Sequence, residues 1–296
     1  MDVPNHRSLH SNPTPRVGGL GILAGIAAGG LVPLAGIGWE TVLLLAGALT
    51  LALLSFVDDR RGLPILLRFA VHGLAAAGVA WALAGGWWVA LAVFLTVWAT
   101  NLYNFMDGTD GLAGGMALFG FGACGIAAWL AQDLHLAALC LAIAGGAAGF
   151  LVFNLPPARV FMGDVGSIPL GFLMAGVGLA GIKAGNWPLF FPLLVFSPFV
   201  LDATITLLRR LLRGEKIWQA HREHYYQRMI RSGVGKRQTL LVWYALMLGC
   251  SASALWVRSD GVDVQAGVLL AWVGIYAVLA IAVDGRWRNR QGAAGV

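Results

Sequence analysis

The sequence predicts an all-α, polytopic integral membrane protein with about ten transmembrane helices. Two observations carry this. Of its 296 residues, 58% are hydrophobic and 11% charged, against about 25% charged in a typical soluble domain. Apolar windows of about 20 residues recur along the chain, which is the length needed to cross roughly 30 Å of hydrocarbon. A transmembrane β-barrel would instead show short segments of alternating polarity.

In order, the spans are predicted over 17–38, 40–57, 64–83, 87–106, 112–131, 135–154, 168–183, 187–208, 238–257 and 264–283. The opening MDVPNHRSLHSNPTPR is polar and shows no cleavable leader. The DDRRG turn ends the second span, NLYNFMDGTDGL parts the fourth from the fifth, and FNLPPARVFMGDVGS parts the sixth from the seventh. A long basic loop over 209–237 precedes the last two spans. Forty-one glycines suit close helix approach in lipid. With no internal repeat and no low-complexity linker, 1–296 reads as one transmembrane domain containing that loop.

Ten spans put both termini on one side. Eighteen of the twenty lysines and arginines fall there, leaving Lys183 and Arg258 on the other. Such asymmetry marks the cytoplasmic side. The expectation is a multi-pass membrane protein with both termini and its working face in the cytoplasm. The net charge of +6 therefore meets lipid headgroups of the bilayer rather than nucleic acid. Cys124, Cys140 and Cys250 all lie in apolar runs without metal-ligand spacing, and read as small core residues.

The polar motifs gather on the same side. SFVDDRRGL carries Asp58 and Asp59, and NLYNFMDGTDGL carries Asn101, Asn104, Asp107 and Asp110 at three-residue spacing, a drifting stripe if helical. FNLPPARVFMGDVGS carries Asn154 and Asp164, and EKIWQAHREHYYQRM carries His221, Arg222 and His224. Asp202 lies just inside the same interface, and Arg68 and His72 stand four apart on the third span. Taken singly, each has an ordinary explanation: interface acids, Asp-Gly turns, a solvated histidine, a snorkelling arginine. Together they are five of only fourteen acids at the ends of three inter-span turns. An acid at membrane depth is costly unless paired, and hard oxygen ligands with open positions suit Mg²⁺. With basic residues close by, the set reads as a site for phosphates, some delivered from the lipid phase. The physics does not choose among a nucleotide, a sugar or a lipid.

RSLHSNPTPRVGGL, FVDDRRGL, NLYNFMDGTDGLAG, FNLPPARVFMGDVGS and AHREHYYQR, in this order, resemble the polyprenyl-phosphate N-acetylhexosamine-1-phosphate transferases of glycosyltransferase family 4. The resemblance runs from Asp2 to about Arg231 and is nearest to the branch that starts O-antigen and related surface glycans. It implies an enzyme that joins a UDP-N-acetylhexosamine to undecaprenyl phosphate, releases UMP and requires Mg²⁺, with Mn²⁺ as the alternative ion. By resemblance Asp164 and Asp107 are metal ligands. Asp58, Asp59, Asp107, Asp110, His221 and His224 are catalytic, and Asn101, Asn104, Asn154 and Arg222 bind substrate; Arg68 and His72, from their place in the cytoplasmic half of the third span, are read as substrate-binding residues of a lipid-phosphate groove, with packing or snorkelling the alternative. A homodimer is implied too. Family members carry a further span before the DVPN-like segment, where this chain begins at Met1. The phospho-MurNAc-pentapeptide transferases are the second reading; their loop carries adjacent histidines where this chain has HREH. An ion-coupled transporter is the reading from a different class, set against the one-sided placement of the acids and the missing repeat.

Overall fold

A computed structural model describes residues 13–30, 38–216, 219 and 221–294, and within them the protein is built of helices. In chain order these are α1 (Gly18–Gly30), α2 (Trp39–Arg61), α3 (Ile65–Leu83), α4 (Trp88–Met106), α5 (Leu112–Leu130) and α6 (Leu134–Asn154). Then come α7 (Asp164–Lys183), α8 (Phe190–Val195), α9 (Ser197–Leu212), α10 (Tyr225–Arg231), α11 (Lys236–Val257) and α12 (Val262–Ala294). Eight of them are long and apolar enough to cross a membrane: α2 to α7, α11 and α12.

Three predicted spans differ. The first is helical over Gly18–Gly30, and the rest of it, 31–37, lies outside the described residues. The eighth is broken into α8 and α9 at Phe196. Pro198 has no N–H to continue the ladder, and the hydroxyl of Ser197 donates to the Leu194 carbonyl instead, at 2.7 Å. The tenth runs past its predicted end to Ala294, a difference that matters below.

The core is formed by α5 and α7, with 72% of the most apolar stretch of each buried, against 6% for α12 at the periphery. α6 lies along α5 and α1, while α7 carries α2 and α4. Two glycine contacts set how the motif-bearing ends meet. A Cβ on Gly19 would sit 2.4 Å from the Gly166 nitrogen, so α1 and α7 touch backbone to backbone. A Cβ on Gly171 would sit 2.6 Å from the Ala99 carbonyl oxygen, which seats α4 equally close to α7. Small residues permit such approaches in lipid. The far end of the bundle is tied by Lys183, which donates to Glu40 at 3.3 Å and to the Ala82 carbonyl at 2.7 Å.

Candidate active site

The close seating of α1, α4 and α7 brings three chain segments onto Asp164, the first residue of α7. Asn104 Nδ2 donates to Asp164 Oδ1 at 3.1 Å and to Ser167 Oγ at 2.8 Å. Arg16 Nη2 reaches the same Asp164 oxygen at 3.5 Å. Segment 13–17 is held there by backbone bonds: Phe161 N–H donates to the Pro15 carbonyl, and Gly18 N–H to the Phe161 carbonyl. Asp107 ends α4 within electrostatic reach of Asp164. Burial first, and then the Asp164 charge, push the Asp107 carboxyl well above the usual carboxylate range; Arg16 and the Gly163 N–H oppose this only in part. Two half-buried carboxylates that repel each other are what a cation relieves.

The Asp58–Asp59 pair divides its labour. Asp58 accepts from the Leu63 N–H at 2.6 Å and from Arg68 Nη1 at 2.7 Å, so it ties the turn between α2 and α3. Asp59 is exposed, forms no hydrogen bond to another described residue, and lines a cleft with Arg16, Phe56 and Arg60. It is also within electrostatic reach of Asp164. His72 is buried at 7% exposure with no hydrogen-bond partner on either ring nitrogen among the described residues, and Phe69 stands 6.2 Å from its ring.

The four-residue stripe of the sequence does not act as one surface. Asn101 Nδ2 donates back to the Val97 carbonyl of its own helix at 2.7 Å, and only Asn104 and Asp107 join Asp164. Asp110 is buried, accepts from the Ala158 N–H at 3.2 Å and lies 3.4 Å from Lys236 Nζ. Asn154 uses both ends of its amide on backbone: Oδ1 accepts from the Gly111 N–H and Nδ2 donates to the Val160 carbonyl, each at 2.8 Å. Asp110 and Asn154 thus lace the DGTDG and PPAR loops to each other and to the start of α11, shaping the wall beside the carboxylates.

The His221–His224 segment folds over the end of α4. His224 is buried, with Nδ1 3.3 Å from Asp202 Oδ1. Its ring lies between Phe105, at 6.5 Å, and Tyr226, at 5.9 Å. Asp202 also accepts the N–H groups of Tyr225 at 2.8 Å and Tyr226 at 3.2 Å, capping the short helix α10. The Tyr226 hydroxyl donates to the Phe105 carbonyl at 3.3 Å. His221 lies 4.8 Å from His224, ring to ring. Burial, with His224 and Arg210 beside it, lowers the His221 imidazole to about 4, so it is neutral at pH 7. Arg222 is half-buried in the same segment, and its carbonyl accepts from Arg231. Glu223 turns away into Arg210, Arg213 and Arg228. Burial would raise its carboxyl, but the guanidinium of Arg213, followed by Arg210 and Arg228, holds it below the usual range.

Arg16, Ser167, Tyr226 and the carboxylate of Asp202 as the partner of His224 contact the candidate residues, and motif reading passed over them. Arg16 and Ser167 stand within the motifs, yet nothing in their spacing says which side chain faces Asp164. As for a metal, no three His, Cys, Asp or Glu side chains gather as a ligand group among the described residues. Asp107 and Asp164 supply hard oxygens with open positions. That fits a Mg²⁺-like ion that keeps waters and shares substrate phosphates, and does not fit a closed protein cage.

A family model described as glycosyl transferase family 4 matches residues 41–182, which include Asp58 and Asp59, Asp107 and Asp110, and Asp164. The probable undecaprenyl-phosphate N-acetylglucosaminyl 1-phosphate transferase of Bacillus subtilis (strain 168) is 29% identical to the chain, over 88% of it and 77% of the relative. The decaprenyl-phosphate N-acetylglucosaminephosphotransferase of Mycobacterium tuberculosis (strain ATCC 25618 / H37Rv) is 30% identical, over 90% and 79%. The phospho-N-acetylmuramoyl-pentapeptide-transferase of Geobacillus kaustophilus (strain HTA426) is 36% identical, but over 56% and 60%. With a relative 30% identical over 90% of its length, and the family model across its acidic clusters, the chain belongs to glycosyl transferase family 4.

Proposed function

We propose that this protein transfers a phospho-N-acetylhexosamine from a UDP-sugar to undecaprenyl or a similar polyprenyl phosphate, releasing UMP, on the cytoplasmic face of a bacterial inner membrane. The observation that carries the reading is Asp164, held by Asn104 and Arg16 where α1, α4 and α7 meet, with Asp107 within electrostatic reach. The names of the relatives from B. subtilis and M. tuberculosis favour N-acetylglucosamine as the sugar. The product would open the assembly of O-antigen or a related envelope glycan.

An oxygen of the lipid phosphate attacks the phosphorus that carries the sugar. The bond from that phosphorus to the UMP oxygen breaks, UMP departs with the bonding pair, and a polyprenyl-diphospho-sugar remains. Asp59, open to the cleft beside Arg16 and Arg60, takes the proton of an acidic lipid phosphate. Arg16 and Arg60 draw the anion in. Asp107 and Asp164 would hold Mg²⁺, which when bound neutralises charge on the transferring phosphates. His224, fixed by Asp202, and neutral His221 close over the donor's diphosphate as hydrogen-bonding groups. Most of the catalysis is positioning and charge neutralisation.

The second reading, phospho-MurNAc-pentapeptide transfer, shares this chemistry. It is supported less, since HREH replaces adjacent histidines and the peptidoglycan relative matches only 56% of the chain. The test is UMP release by protein purified in detergent, with undecaprenyl phosphate, Mg²⁺ and a panel of UDP-N-acetylhexosamines including UDP-MurNAc-pentapeptide. Release that needs both lipid and metal is the expected result, and the best donor identifies the sugar. No release with any donor, from protein shown to be folded, overturns the proposal.

A further inference from the structure

The last helix does more than cross the membrane. Beyond its apolar part α12 carries Asp284, whose carboxylate joins two arginines from different elements. Oδ2 accepts from Arg209 Nη1 of α9 at 2.7 Å, and Oδ1 from Arg228 Nη1 of α10 at 2.8 Å. Arg228 is buried at 7% exposure. Its other nitrogens reach back to Glu223: Nε donates to the carbonyl at 2.8 Å, and Nη2 to Oε2 at 3.3 Å. Glu223 stands between Arg222 and His224. Arg209 and Arg228 also flank the ring of Tyr225, at 5.3 and 5.6 Å, and the Tyr225 N–H caps onto the same Asp202 that holds His224. A second contact lies one turn further on, where Arg231 of α10 covers the ring of Trp287 at 4.9 Å.

We propose that Asp284 is a positioning residue for the His221–His224 segment, anchoring Arg228 and through it Glu223, so that α12 holds the loop over the end of α4. The inference rests on the transferase reading given above for the role of that loop. The apolar part of α12 buries little, 6% of its most apolar stretch, so the polar contacts beyond it add a separate attachment to α9 and α10. An isolated ion pair at a surface holds little. This one has a buried guanidinium shared between two acids, and removing Asp284 takes one of the two carboxylates from Arg228 and leaves Arg209 without an acid among the described residues. The Glu223 of HREH thereby acquires a purpose that a third histidine could not serve, since only a carboxylate meets three guanidiniums.

The experiment compares full-length Asp284→Asn, Asp284→Glu, Arg228→Gln and the double variant Asp284→Asn/Arg228→Gln with the parent protein in detergent. UMP release and hydrogen–deuterium exchange are measured on each. Asp284→Asn is expected to lower kcat roughly 10- to 100-fold, as small misplacements of reacting groups do, with KM for the lipid phosphate unchanged. Asp284→Glu should recover most of the rate. The double variant should be no slower than Arg228→Gln alone, because the two act through one contact. Exchange should quicken in peptides covering 221–231 and stay as it was in α5 and α7. Wild-type turnover in Asp284→Asn with unchanged loop exchange overturns the proposal. So does faster exchange throughout the bundle, which would mean general loosening. If the parent releases no UMP with any donor, the transferase reading has failed, and loop exchange alone decides whether Asp284 anchors the segment.

Discussion

His224 and Asp202, twenty-two residues apart in sequence, meet with Nδ1 3.3 Å from Oδ1 inside the protein. A carboxylate oxygen accepts, so Nδ1 carries the hydrogen. The same carboxylate collects two backbone N–H groups of α10, so one side chain starts the helix and sets the ring. Asp202→Ala should therefore lower thermal stability, by about 1–3 kcal/mol for each buried donor left without an acceptor, and lower turnover too. His224→Ala should lower turnover strongly and stability less. Unfolding scans and UMP release on both variants check this; equal stability losses would contradict it.

Asp164→Asn keeps an oxygen for Asn104 to donate to, but removes the charge. Turnover should fall by at least about 10²-fold, as when a group stabilising the transition state is lost, with the unfolding temperature little changed. Near-normal UMP release would remove Asp164 from the centre of the site.

Asp58 and Asp59 should separate experimentally. Asp58→Ala leaves Arg68 and the Leu63 N–H without their acceptor, so the loss should appear first in stability. Asp59→Asn touches no hydrogen bond to a described residue, so its effect should appear in turnover at unchanged stability. The reverse pattern would exchange their roles.

Gly108 faces the Tyr226 hydroxyl, which a Cβ there would approach to 2.0 Å. Gly108→Ala should displace the His224 segment and slow turnover. Adding Tyr226→Phe deletes the offending oxygen, leaves the ring carbon at 3.2 Å, and should restore part of the rate. No rescue would mean that the glycine matters for another reason.

His221 gives a pH signature. Its imidazole titrates at about 4 in the folded protein against 6.5 when unperturbed. Between those values the unfolded chain binds the proton and the folded one does not, so stability rises with pH across that window. Acidification from pH 6.5 towards 4 should lower the unfolding temperature, and His221→Gln should flatten part of that slope.

The architecture was legible because its driving force is written locally. Apolar runs long enough to span lipid need no partner to be recognised, and eight of them appear as continuous helices. The break at Phe196 was less visible, since Pro198 reads as a tolerated residue until the Ser197 hydroxyl is seen on the Leu194 carbonyl. The end of α12 was missed for a related reason: hydropathy stops at Ala282–Val283, whereas the helix continues on ion pairs made with α9 and α10.

The candidate site divides in the same way. The sequence alone determined which chemistry is available, because carboxylates, amides and imidazoles at the ends of membrane spans are too costly to be idle there. Only the tertiary structure decided which of them meet. Asp164, Asp107 and Asn104 converge, while Asn101, Asp110 and Asn154 are drawn into backbone contacts, and Arg16 enters from a segment with no acid of its own. Hydrogen bonds are short and directional. Which of several similar polar side chains makes them depends on ångström-scale helix seating at Gly19 and Gly171, and residue spacing along a chain does not encode that distance.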